Sequence, residues 1–108
     1  MHTILQVNIS FGTAKEAEKI GKRLLKDRLI ACMDIVFKTK SLYYWPPQKG
    51  KIKSAKGCYL YAYTLPKHMQ HIEHVVEKIH PDKIPYITGL ELQVNKDYYN
   101  WLVLEVKK

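Results

Sequence analysis

Three histidines in the segment "HMQHIEH", His68, His71 and His74, are the first residues whose type and spacing suggest chemistry. Imidazole is a common ligand of zinc and copper, and side chains three residues apart are neighbours on the surface of a helix. Three such positions nevertheless fan over about 120° of the helix, so at best one pair converges on one ion. We therefore interpret His71 and His74 as solvated surface residues and place His68 near the apolar stripe of the helix.

A column of tyrosines is the second chemical feature. In "KGCYLYAYT" the alternation of a β-strand separates Tyr59, Tyr61 and Tyr63 from Cys58, Leu60 and Ala62. Phenol rings in a column can stack on nucleobases or be covered by protein. The Lys-Gly start matches the RNA-reading strand of RRM domains, but the positions where that motif needs aromatics hold Cys58 and Leu60. Because a shift of one residue exchanges the two faces of a strand, we favour a protein partner over nucleic acid.

Motifs of the common catalytic sites are missing from the chain. It contains no Gly-x-Ser-x-Gly elbow, no glycine-rich phosphate loop before a helix, and no HExxH or CxxC segment. Glu91 is the one carboxylate that we place beside the tyrosines, where it accepts a hydrogen bond from a phenol or, alternatively, acts on a ligand between subunits. The sequence therefore predicts a protein that is not an enzyme.

The elements that position these residues follow from the apolar pattern. Alternation predicts a first strand over residues 4–9, and the capping box "TAKE" begins a helix that ends near Arg28. A long strand continues to Trp45, bulged near Lys38, and the turn "PPQKG" leads into a third strand that ends at Thr64. A second helix, the strand "YITGLELQV" and a short helix "KDYYNWLVLEV" complete the chain.

The order β-α-β-β-α-β with a terminal helix predicts an α+β, ferredoxin-like fold for a single domain over residues 1–108. The hairpin from about Cys32 to Thr64 is longer than a sheet of ~5–6-residue strands needs, so it should project from the domain. We expect the helices to cover one face of the sheet, with Leu90, Leu92 and Val94 directed inward. The opposite face, here called the tyrosine face, should carry Gln6, Asn8, Tyr59, Tyr61, Tyr63, Glu91 and Gln93. An aromatic face of this kind usually marks a partner.

The net charge of +8 is concentrated in the middle of the chain. Between Asp34 and Glu73 there is no carboxylate, and seven basic residues lie there: Lys38, Lys40, Lys49, Lys51, Lys53, Lys56 and Lys67. A basic hairpin of this kind attracts an acidic or anionic partner, or its lysines protect a sheet edge from pairing with other proteins.

Composition indicates a cytoplasmic protein. No apolar run approaches the ~18 residues of a membrane helix, which predicts that the chain has no membrane partner. The segment "MHTILQVNIS" lacks the basic start and long apolar stretch of a secretory signal. The two cysteines, Cys32 and Cys58, are too few for a disulfide framework and are expected to be reduced, although a bridge between neighbouring strands stays open.

Four short segments together carry a family resemblance. "RLIAC" closes the first helix, "SLYYW" precedes the hairpin turn, "HP" precedes Pro85, and "YYNWL" lies near the end. In this order and spacing the chain, from Ala17 to Val106, resembles the CutA divalent-ion tolerance family. The resemblance implies a small cytosolic homotrimer, arranged like PII-type signalling proteins, whose sheets pack around the threefold axis and whose hairpins pair across subunits. It thus implies a trimer interface formed by Tyr43, Tyr44, Trp45, Tyr59, Tyr61 and Tyr63.

The same resemblance implies binding of copper or another divalent cation and a role in metal tolerance, with no metal required for folding. Ligands described in the family are a cysteine in the first strand, a glutamate in the third strand and the histidine of an "HPY" motif. That histidine corresponds to His80, whereas the cysteine position holds Ile9 and the glutamate position falls near Ala55 or Gly57. The tyrosine of the motif is Asp82, a carboxylate that can assist His80. The expected metal site is therefore His80 with Asp82, and binding should be weak.

Overall fold

The computed structural model describes residues 1–108. In chain order its elements are β1 (His2–Phe11), α1 (Ala14–Lys26), β2 (Cys32–Trp45), β3 (Lys51–Thr64), α2 (Met69–Ile79), β4 (Ile87–Val94) and α3 (Lys96–Glu105), with a 3-10 turn at Pro66–His68 before α2. The strands form one antiparallel sheet in the order β2-β3-β1-β4. The predicted ferredoxin-like α+β fold with a C-terminal helix is confirmed.

The main core lies between the sheet and the helices α1 and α2. It is built from alternate residues of β1 and β3 together with the inner sides of both helices. Leu60 and Leu24 are completely buried, as is Val76 on α2. The Thr13 hydroxyl caps α1 by accepting the Glu16 backbone N–H at 3.2 Å, as the capping box predicts. None of the helices is long and apolar enough to cross a membrane.

The β2–β3 hairpin extends the molecule in one direction. Each of its strands has 14 residues, and the chain measures 47 Å along its longest axis but only 25 and 24 Å along the others. A bulge between Lys38 and Ser41 shifts the register of β2 against β3. Opposite it, Gly57 passes so close to β1 that an added Cβ would lie 2.6 Å from the Phe11 carbonyl oxygen. The predicted projecting hairpin and its bulge are both present.

The register of β4 differs from the prediction. Glu91 lies opposite Leu5, on the side of the helices, whereas Leu90 lies opposite Gln6 and therefore on the tyrosine face. The prediction was wrong for Glu91 and Gln93, and also for the inward set Leu90, Leu92 and Val94. The reason is the position of α2, because a Cβ at Gly89 would come within 3.1 Å of the Met69 sulfur. A small residue faces the helix there, and Leu90, Leu92 and Val94 face the opposite way, whereas Ile87 packs on the main core.

The terminal helix α3 packs against one end of the tyrosine face. Ile4, Leu102 and Val106 form a second, small buried cluster, and Tyr63 and Leu92 pack against its edge. The Arg28 guanidinium ties this end to the rest of the domain through the Glu105 carboxylate at 2.9 Å. The tyrosine face is therefore covered by its own chain at one end only.

Candidate functional site

His80, the predicted metal ligand, uses both ring nitrogens in hydrogen bonds. Nε2 lies 2.7 Å from the carbonyl oxygen of Ser10, and Nδ1 lies 2.9 Å from the backbone nitrogen of Asp82. Since a carbonyl only accepts, Nε2 carries the proton and Nδ1 accepts the Asp82 N–H. The ring also stacks on Phe11, with centroids 4.6 Å apart, and only 9% of the residue is exposed. In this arrangement His80 fastens the segment after α2 to the end of β1.

Asp82 contributes its backbone, not its carboxylate, to this arrangement. Nowhere in the chain do three His, Cys, Asp or Glu side chains gather closely enough to hold a metal ion. The family positions occupied by Ile9 and by Ala55 or Gly57 bring no donor atoms. Transition metals need several converging nitrogen, sulfur or carboxylate ligands. The side chains of one chain therefore do not make a complete coordination sphere, and the His80 Nδ1 reaches a metal only after it releases the Asp82 N–H.

The three histidines in and just before α2, His68, His71 and His74, differ in their exposure to solvent. His71 and His74 are exposed, as predicted. His68 is buried, and its Nε2 donates to the Lys107 carbonyl oxygen at 2.8 Å, which holds the C-terminal end of the chain. Burial, together with the charges of Lys67 and Lys107, lowers the pKa of the His68 imidazole below its ordinary value. The three rings do not form a metal site.

The tyrosine column has the predicted alternation. Cys58, Leu60 and Ala62 are completely buried, so the positions that an RRM domain would use for bases lie in the core. On the other side, the rings of Tyr59 and Tyr61 stack with centroids 5.8 Å apart, and Gln6 donates to the Tyr63 hydroxyl at 3.1 Å. Asn8, between these residues, has a buried Oδ1 without a hydrogen-bond donor. This face consequently offers rings and one unused acceptor.

The projecting hairpin carries exposed apolar side chains on both of its faces. Tyr44 is paired with Ile52, and the two are 74% and 64% exposed. Tyr43 and Trp45 are paired with lysines of β3 and lie on the other face. The three aromatic residues that the end of the hairpin contributes to the predicted interface are therefore accessible in the single chain.

The two thiols are free and lie apart. Cys32 is paired with Tyr63 across the sheet, whereas Cys58 is paired with Phe37, so the two are not neighbours. The bridge that the sequence left open is not formed, and the reduced state stays a prediction. Burial raises the pKa of the Cys58 thiol, although the nearby Lys38 charge opposes this shift. The Cys32 sulfur lies 3.2 Å from the Tyr98 hydroxyl, whose pKa is raised first by burial and then by this contact.

A cleft of about 730 Å³ lies at the base of the hairpin and was not predicted from the sequence. It lies between the hairpin and the segment 80–86, and we call it the basal cleft. Lys38 and Lys56 enter it from the hairpin, and Lys83 enters it from the segment after α2. The concentration of lysines was visible in the sequence, but the approach of Lys83 and Tyr86 from a distant segment was not.

Comparison with known proteins gives a consistent result. The family model of the CutA1 divalent ion tolerance protein matches residues 5–105. The divalent-cation tolerance protein CutA of Pyrococcus horikoshii is 33% identical over 103 residues, covering 94% of this chain and 97% of that protein. The CutA of Thermotoga maritima is 32% identical over 100 residues, covering 92% and 95%. A crystal structure of CutA1 from Pyrococcus horikoshii superposes with a TM-score of 0.88 at 30% identity, covering 96% of this chain and 99% of the other.

Proposed function

Because the chain belongs to the CutA1 divalent ion tolerance family, we propose that it acts in divalent-cation tolerance as a homotrimer without catalytic activity. The tyrosine face and the hairpin form the contacts between subunits in this proposal. The proposed interface comprises Tyr43, Tyr44, Trp45, Tyr59, Tyr61 and Tyr63, to which the register of β4 adds Leu90.

The observation that carries this proposal is the amount of apolar surface that one chain leaves uncovered. Leu90 on the tyrosine face is 52% exposed. On the hairpin, Phe37, Leu42 and Tyr44 are 72%, 65% and 74% exposed. Large exposed apolar side chains in this number mark contacts with another protein, and aromatic residues are enriched in such contacts. Copies of the same chain are the partner we propose, since the family resemblance implies a threefold arrangement with the sheets inside.

Cation binding in this proposal is weak. His80 and Asp82 remain the proposed contacts for Cu²⁺ or another divalent cation, but the imidazole must exchange its Asp82 N–H bond for the metal. Three nearby lysines also oppose the approach of a cation. In this proposal folding needs no metal, which the buried apolar core and the hydrogen-bonded sheet support.

Absence of catalysis and a cytoplasmic location belong to the same proposal. Burial keeps the Cys58 thiol protonated, which disfavours its use as a nucleophile. The relatives are named for tolerance to divalent cations and not for a reaction. Free thiols persist in a reducing compartment, which supports the cytoplasm as the location. Fractionation of cells that express the tagged chain would test this part.

Light scattering tests the assembly directly. The proposal expects a solution mass three times the 12.7 kDa of one chain. A soluble species with the mass of one chain would contradict it. For the cation, Cu²⁺ is titrated into the wild type, into His80→Ala, and into His74→Ala as a matched control at an exposed histidine. Weaker binding in His80→Ala alone supports His80 as a ligand, and identical isotherms exclude it.

A further inference from the structure

The basal cleft combines a cavity with an uneven distribution of charge. Its volume of about 730 Å³ lies within the usual range of small-molecule sites, ~300–1,000 Å³. Lys38, Lys56 and Lys83 line it, and Asp82 is the only carboxylate among the lining residues. None of the three ion pairs of the chain includes these lysines. The cleft is therefore positively charged, and its ammonium groups are not neutralised by carboxylates of the same chain.

Lys38 is held in place before any ligand arrives. Its ammonium donates to the Ser10 hydroxyl at 2.6 Å and lies 4.2 Å from the centroid of the Tyr59 ring. The Ser10 carbonyl in turn accepts the His80 Nε2–H at 2.7 Å. A cation fixed by a hydroxyl and a ring loses less side-chain freedom on binding an anion than a solvated lysine does.

Aromatic rings form much of the remaining wall. Tyr59 and Tyr86 lie with centroids 6.1 Å apart and planes tilted by 55°, and Tyr43 and Trp45 enter from the hairpin. Tyr86 is 49% exposed and lies outside the proposed interface, so its face is available to a ligand. Rings next to cations suit a molecule that has an anionic end and a planar apolar group.

We propose that the basal cleft binds a small phosphorylated molecule with a planar ring. The phosphates contact Lys38 and Lys83, and the ring lies against Tyr86. A small ligand fits better than a nucleic acid strand, because the cationic groups converge on one cavity and do not follow a long groove. The lysines and Tyr86 belong to one chain and lie outside the proposed interface, but Tyr43, Trp45 and Tyr59 are also proposed contacts between subunits. The outer wall of the cleft therefore rests on the proposed function, whereas its cationic part does not.

Calorimetric titration with adenosine diphosphate and with inorganic pyrophosphate tests the proposal. Adenosine diphosphate should bind, and pyrophosphate should bind more weakly because it lacks the ring. Lys38→Gln/Lys83→Gln should weaken the binding of adenosine diphosphate by roughly a hundredfold, since it removes two charge-assisted hydrogen bonds that each contribute about tenfold. The matched control Lys40→Gln/Lys49→Gln also removes two positive charges, but from hairpin residues outside the cleft. It should leave the affinity for adenosine diphosphate within about twofold of the wild-type value.

Two further variants guard against misfolding as an explanation. Lys83→Gln alone alters an exposed residue and should still weaken binding. Asp82→Asn removes the only carboxylate of the cleft and should strengthen binding, which general damage to the fold would not do. Failure of adenosine diphosphate to bind, or equal loss in the cleft and control pairs, overturns the proposal. The proposal is also overturned if a short single-stranded RNA binds more tightly than adenosine diphosphate and the cleft and control double variants weaken RNA binding equally.

The same samples separate this inference from the proposed function. Light scattering on each sample reports assembly independently of the titration. A wild type that binds adenosine diphosphate with the mass of one chain contradicts the homotrimer but not the cleft. If the protein is a trimer and binds pyrophosphate and adenosine diphosphate with equal affinity, the aromatic residues of the cleft do not contact the ring of the ligand as proposed.

Discussion

The His80 Nε2–H donates a hydrogen bond to the carbonyl oxygen of Ser10 at 2.7 Å, which joins the segment after α2 to the end of the strand β1. The Ser10 hydroxyl accepts the Lys38 ammonium at 2.6 Å, so the same residue also holds the base of the hairpin. Three segments that are distant in the chain thus meet at Ser10. The basal cleft owes its shape to this junction.

Replacing His80 should destabilise the fold whether or not a metal is present. His80→Ala removes two hydrogen bonds and the stack on Phe11, so we expect a loss of about 2–4 kcal/mol in the free energy of unfolding. His80→Gln can still donate to Ser10 and should lose less. Chemical denaturation at a fixed protein concentration measures the change, and hydrogen exchange should become faster at the Asp82 amide. If His80→Ala is as stable as His74→Ala, the junction does not stabilise the domain.

A charge on the tyrosine face should dissociate the assembly. Leu90→Glu places an unpaired carboxylate in the proposed interface of every subunit, and burying it costs several kcal/mol in each copy. Light scattering should then show the mass of one chain. Gln93→Glu adds the same charge to the same strand on the helix side, where the residue is exposed, and should leave the assembly intact. Dissociation by both variants, or by neither, would contradict the assigned face.

Acid should weaken the fold partly through His68. Burial lowers the pKa of its imidazole below the ordinary 6.5, with Lys67, Lys107 and His71 acting in the same direction. The unfolded chain therefore takes up this proton first, and the stabilising contribution is present above pH 6.5 and lost as the pH falls toward the lower pKa of the folded state. Thermal unfolding at pH 7 and pH 5 should show a smaller difference for His68→Gln than for the wild type. His74→Gln should behave as the wild type, and an unchanged difference in His68→Gln would refute this contribution.

The packing of α3 can be tested with two leucines of that helix. Leu102 is completely buried against Ile4, whereas Leu104 is 82% exposed. Leu102→Ala should cost about 2–5 kcal/mol of unfolding free energy because it leaves a cavity, and Leu104→Ala should change it by less than about 0.5 kcal/mol. Urea denaturation of both variants gives the comparison. Equal effects would mean that α3 does not dock on the sheet as described.

The alternation in β3 and β4 shows how far prediction from the sequence extends. In β3 the buried set Cys58, Leu60 and Ala62 followed from the pattern alone, because the other face carried only tyrosines. In β4 the same reasoning assigned Leu90 and Glu91 to the wrong faces. A pattern of period two separates residues into two sets, but it does not say which set meets the helices when both faces of a sheet are to be covered.

The candidate site, too, was predicted from the sequence only in part. The resemblance singled out His80, yet its contact with Ser10 joins residues 70 positions apart and has no local signal. The lysines of the hairpin were evident, but their convergence with Lys83 and Tyr86 depends on how α2 returns the chain to the end of β1.

The amino-acid sequence by itself determined the order of the elements, the projecting hairpin and the concentration of positive charge, because periodicity, turn residues and charge are local properties of a chain. Tertiary structure decided which face of β4 meets the helices, what His80 contacts, and that three lysines border one cleft. These depend on strand register and on the packing of segments far apart in sequence, which are settled by the fit of side chains in three dimensions.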